Sequence, residues 1–112
     1  MARLHVQLQS EDTIAGPGNR NPNYIVASVT DDAGVGVAGL AAANFKVDPV
    51  IVGPGGALVN IVSVAAGRIA GVYLVQVVPI NAETWKAGTY VFAVAVTSGA
   101  NNGQGLCSVV MD

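Results

Sequence analysis

The sequence predicts an all-β chain folded as an antiparallel β-sandwich of about seven strands. Three observations carry this expectation. Segments rich in Val, Ile, Thr, Tyr and Phe alternate apolar with polar or small residues, the period of a strand with one buried face. Clusters of Gly, Pro, Asn and Asp separate those segments and suit turns. The 14 glycines and 5 prolines are more than a helical bundle accommodates, and only Leu40–Asn44 reads as a helical turn. A length of 112 residues fits one domain over 1–112 with no linker.

The first strand is Arg3–Gln9, with Leu4, Val6 and Leu8 on one face and His5, Gln7 and Gln9 on the other. Ser10–Asn23 is a loop, because Gly16-Pro17-Gly18-Asn19 and Asn21-Pro22 fit no regular element. Tyr24–Thr30 is the second strand, stopped by Asp31-Asp32-Ala33-Gly34. The third, Phe45–Val52, aligns Phe45, Val47 and Ile51. Its Pro49 confines it to an edge, a bulge or two shorter pieces.

Gly53-Pro54-Gly55-Gly56 is a turn, followed by the fourth strand, Leu58–Val64. Val72–Val78 sets Tyr73, Val75 and Val77 on one face; Thr89–Thr97 aligns Tyr90, Phe92, Val94 and Val96. Ser98–Gly105 reads as the last hairpin loop and Leu106–Met111 as the seventh strand. Ala70-Gly71-Val72-Tyr73 is echoed by Ala87-Gly88-Thr89-Tyr90. Two such units make no solenoid, and what they share is a Gly turn before an inward Tyr.

Composition excludes several functions. Five basic and seven acidic residues give a net charge of −2, which disfavours a nucleic-acid partner. One cysteine allows no internal disulfide, and one histidine disfavours zinc. The N-terminal residues alternate rather than forming the apolar core of a secretory signal, so the chain is expected to stay where it is synthesised, in the cytoplasm, unless a dedicated machine exports it or lysis releases it. No apolar run nears the roughly 20 residues of a membrane-spanning helix, so the mean hydropathy of +0.53 comes from many short runs.

Four constellations bear on chemistry. Gly34-Val35-Gly36-Val37-Ala38-Gly39 matches the spacing of a dinucleotide loop, but neither a following helix nor an acidic residue about 20 positions on accompanies it. Asp31 and Asp32 offer two carboxylates and turn carbonyls, a weak calcium candidate beside the plainer role of solvated turn acids. His5 and Cys107 fall on opposite inferred faces, which argues against a nucleophilic dyad. Trp85 lies in a connection that should emerge beside Asn19, Arg20, Asn21 and Asn23. That set could stack on and hydrogen-bond a carbohydrate, unless Trp85 caps the core. No cofactor is expected, and no catalytic set assembles.

The outward faces are more informative. No charged residue occurs from Pro49 to Gly67 or from Ala87 to Met111, although a solvated sheet face normally alternates apolar with charged residues. If the aromatic residues of the sixth strand face the core, then Val91, Ala93 and Ala95 face out. Leu74 and Val78 of the fifth strand and Leu106 and Val110 of the seventh join them. A contiguous surface of this kind points to burial against another molecule, a protein partner or a further copy of the chain.

Gly88-Thr89-Tyr90-Val91-Phe92 resembles the tyrosine corner of immunoglobulin-type sandwiches, with Phe92 where antibody domains carry cysteine. Val29–Leu40, running through Asp31-Asp32-Ala33-Gly34 and followed by Phe45-Lys46-Val47, resembles bacterial immunoglobulin-like domains of the invasin and intimin kind. The resemblance covers about a third of the chain. It implies a non-catalytic module used for spacing, display or contact, and it transfers no functional residue.

Overall fold

Strands with one apolar face must bury it against a second layer, and two antiparallel sheets do so here. The computed structural model describes residues 3–10, 18, 21–51, 59–80, 83–86 and 88–111. The strands are β1 (His5–Ser10), β2 (Asn23–Thr30), β3 (Phe45–Ile51), β4 (Val59–Ala66), β5 (Val72–Pro79), β6 (Gly88–Ser98) and β7 (Asn101–Met111), with a 3-10 turn at Ala42–Asn44. One sheet has the order β1-β2-β5-β4 and the other β3-β6-β7. The fold is an all-β sandwich.

The core comes from the strands flanked on both sides. Ile25, Ala27 and Val29 of β2, Tyr73, Val75 and Val77 of β5, and Tyr90, Phe92, Val94 and Val96 of β6 are almost wholly buried. On β5 and β6 these are the residues that alternation selects, because a central strand has one face fully covered and a period of two. Pro49 acts as its chemistry demands: β3 is an edge strand, and its register with β6 shifts between Pro49 and Ile51.

The last hairpin corrects the sequence reading. Pairing of β6 with β7 continues to Ser98↔Asn101, so the turn is Gly99-Ala100 and the glycine-rich stretch belongs to β7. Gly103 and Gly105 are there for close approach, not for turning. A Cβ at Gly103 would lie 2.1 Å from the Leu4 carbonyl oxygen, and one at Gly105 2.7 Å from that of Val6. β4 also runs further than expected, to Ala66, which pairs with Tyr73. Leu58, Val52 and the Gly53–Gly56 turn lie outside the described residues.

Those glycines let β1 lie beside β7 along one long side of the sandwich. The Leu4 N–H donates to the Asn102 carbonyl at 2.8 Å, and Ser10 Oγ donates to the Ser108 carbonyl at 2.8 Å. The opposite side, between β3 and β4, is open. A gap of about 260 Å³, lined by Phe45, Val47, Val59 and Ile61 among others, separates the strands. Among the described residues no backbone hydrogen bond crosses it.

Candidate functional site

Alternation along β6 puts Tyr90, Phe92, Val94 and Val96 inside, so Thr89, Val91, Ala93, Ala95 and Thr97 point outward. On β7, Val110, Ser108, Leu106 and Gln104 stand opposite Thr89, Val91, Ala93 and Ala95. Leu106 is 62% exposed and Val110 59%, large fractions for side chains of this size. They form an apolar stripe with Val91 and Ala95, rimmed on the β3 side by Lys46 and Asp48, which pair with Ala95 and Ala93.

Two expectations about this surface are overturned. Leu74 and Val78 do not belong to it, because β5 pairs with β2 and β4 in the other sheet. Their outward side chains lie on the opposite face of the molecule, so no surface shared by the fifth, sixth and seventh strands exists. Ala93, though outward, is only 2% exposed. Its single methyl sits between Asp48 and Leu106, whose longer side chains screen it.

The loop end resolves Trp85. The expected meeting of the two loops occurs: the Gly18 N–H donates to the Trp85 carbonyl at 2.8 Å, and Trp85 Nε1 donates to the Asn21 carbonyl at 2.8 Å. The indole is fully buried and packs edge-on against Tyr90 with ring centroids 5.3 Å apart. It caps the core, the alternative that the sequence offered for it, and leaves no face of the indole open for stacking on a carbohydrate. Asn23 is fully buried as well, its Oδ1 accepting the Tyr24 N–H. Asn19 and Arg20 lie outside the described residues.

The remaining constellations serve the backbone. Gly36 of the glycine-rich segment touches the Ala70 backbone so closely that a Cβ would sit 2.0 Å from its carbonyl oxygen. Only the three-residue 3-10 turn Ala42–Asn44 follows, which supplies no helix terminus for a phosphate. The Tyr73 hydroxyl fastens this segment, donating to the Val37 carbonyl at 2.6 Å and accepting the Leu40 N–H at 3.2 Å. Tyr90 fastens its own loop by accepting the Lys86 N–H at 3.0 Å. The echoed Gly-x-Tyr stretches therefore share a purpose that the sequence did not reveal.

Asp31 Oδ1 accepts the N–H groups of Ala33 and Val35, while Asp32 Oδ1 lies 3.1 Å from His5 Nε2. Both carboxylates are thus engaged in organising or meeting nearby groups. Among the described residues no three His, Cys, Asp or Glu side chains gather as a metal site would require. His5 points outward from β1, whereas Cys107 packs against the core, and burial pushes its thiol up to about 11. A thiol held protonated is a poor nucleophile.

The sequence missed one concavity. Where β1 lies beside β7, an open trough of about 800 Å³ is lined by residues that include His5, Gln7, Thr97, Asn102 and Gln104, with Ala95 among them. Its sequence signal was the spacing of Gly103 and Gly105, two residues apart on one strand face. It presents hydrogen-bonding groups, and its one ring is the imidazole of His5.

No known family model matches the chain, and neither curated proteins nor solved structures give a match. Among the described residues no helix is long and apolar enough to cross a membrane.

Proposed function

We propose that this chain is a non-catalytic, immunoglobulin-like contact module that self-associates or docks into a larger assembly through the outer face of β6 and β7. The observation that carries the reading is the exposure of Leu106 and Val110 on a face to which neither β6 nor β7 contributes a charge. Burying such a stripe is favourable at about 25 cal/mol per Å². Of all seven strands only β3 holds charged side chains, Lys46 and Asp48, and these border the stripe as a polar rim borders an interface.

Two features support the immunoglobulin-like part of the reading. The orders β1-β2-β5-β4 and β3-β6-β7 coincide with the four-against-three arrangement of constant-type immunoglobulin sandwiches. The bond from the Lys86 N–H to the Tyr90 hydroxyl corresponds to that of a tyrosine corner. The non-catalytic part is supported by the scattering of the reactive groups, with Cys107 inward and His5 outward on different sheets.

Size-exclusion chromatography with light scattering tests the surface. The chain should elute above its 11.2 kDa mass, and the double substitution Leu106→Lys, Val110→Lys should lower the mass. An unchanged mass in that variant would remove the β6/β7 face from the account.

A further inference from the structure

A sheet edge exposes a row of unpaired N–H and C=O groups, and natural edges carry devices that prevent pairing with other chains. Four edges exist here: β1 and β4 in one sheet, β3 and β7 in the other. β1 and β7 shield each other along the closed side, where the Leu4 N–H meets the Asn102 carbonyl. β3 carries Lys46, Asp48, Pro49 and a register shift. β4 has the sequence Val-Asn-Ile-Val-Ser-Val-Ala-Ala, with neither charge nor proline. Its one irregularity, between Ile61 and Ser63, leaves Val62 54% exposed. Among the described residues nothing hydrogen-bonds its outer edge.

We infer that β4 pairs antiparallel with β4 of a second copy of this chain, joining two four-stranded sheets about a two-fold axis. The inference rests on the self-association proposed above and adds a contact separate from the β6/β7 face. Backbone groups spaced along an extended strand are satisfied in series only by another extended strand. No strand of this sheet holds Asp, Glu, Lys or Arg, so a charged partner strand would meet no opposite charge, whereas β4 itself is an uncharged match.

Antiparallel self-pairing also preserves facing. Val59 and Ile61 of both copies stay on the core side and Asn60 on the solvent side. The gap beside β4, lined by Phe45, Val47, Val59 and Ile61 together with Lys46 and Asn60, gives inward residues of the arriving strand a place to bury. A strand pair of this length covers on the order of 400 Å² per partner, half of the roughly 800 Å² of a standard interface, so the pairing is reversible. With the other three edges blocked, this contact closes at two copies and does not extend into a fibre.

Sedimentation of four proteins separates the two contacts: the wild-type chain, the Leu106→Lys/Val110→Lys variant, Val62→Lys, and the combination. Emission of the buried Trp85 reports that each is folded, and Asn60→Lys serves as a second edge variant. At about 500 µM the face variant should retain twice the chain mass, and adding Val62→Lys should return it to the mass of one chain. A face variant that is already monomeric, or a combined variant that is still dimeric, overturns the β4 pairing and leaves the face reading standing. If the face variant keeps the wild-type mass while Val62→Lys lowers it, the face reading fails and the edge pairing holds. A monomeric wild-type chain overturns both.

Discussion

The two long sides of this sandwich are built from similar strands and end differently. Between β1 and β7, glycines at 103 and 105 admit the carbonyls of Leu4 and Val6, and backbone and hydroxyl hydrogen bonds fasten the strands. Between β3 and β4 no backbone hydrogen bond forms among the described residues, and a gap lined by Phe45, Lys46, Val59 and Asn60 among others lies there. Backbone approach between β1 and β7 therefore depends on glycine at the points of contact, and no glycine lies among the residues that line the β3/β4 gap. The closed side should carry stability, and the open side should remain available for contact.

The strongest way to break this contrast is Gly103→Val. Its side chain would collide with the Leu4 backbone, which no rotamer relieves, so a loss of about 3 kcal/mol or more is expected in urea denaturation. Val62→Ala on the open side should stay within about 0.5 kcal/mol. Equal effects would erase the distinction between the sides.

Cys107 reports closure from within. Burial raises its thiol from 9.0 to about 11, so alkylation near pH 8 should run up to about a hundredfold slower than for an unfolded chain. Gly103→Val should recover much of that rate. The sign for stability follows from a folded value above the unfolded one. The contribution of the protonated thiol is whole below pH 9.0 and is lost as pH rises through about 11. A thiol as reactive as free cysteine would mean that β7 is not covered as described.

The smallest expected effects compare the two tyrosines that tie loops to the core. Tyr73→Phe frees both the Val37 carbonyl and the Leu40 N–H, whereas Tyr90→Phe frees the Lys86 N–H. Thermal melting should place the first about 1 kcal/mol below the second. The reverse order would contradict the assigned hydroxyl bonds.

How much of this was legible follows from what periodicity can encode. In β5 and β6 one face is wholly buried, so Tyr73, Val75 and Phe92 can be assigned inward from alternation alone. Which sheet a strand joins is not encoded in its own period. Alternation therefore groups Leu74 and Val78 with Leu106 and Val110, although β5 lies in the other sheet. Gly103 and Gly105 misled because turn formation and close backbone approach demand the same residue. Trp85 was ambiguous because a ring at a loop end suits either a ligand or the core, and only the contact with Tyr90 decides. The trough beside β1 was hidden because it joins residues 3–7 to residues 95–104.

The central claim is that surface left without charge is meant to be covered. Sedimentation equilibrium of the unmodified chain tests it most directly. The average mass should climb above 11.2 kDa as concentration rises from about 10 to about 500 µM. A mass that stays at the single-chain value across that range would contradict it.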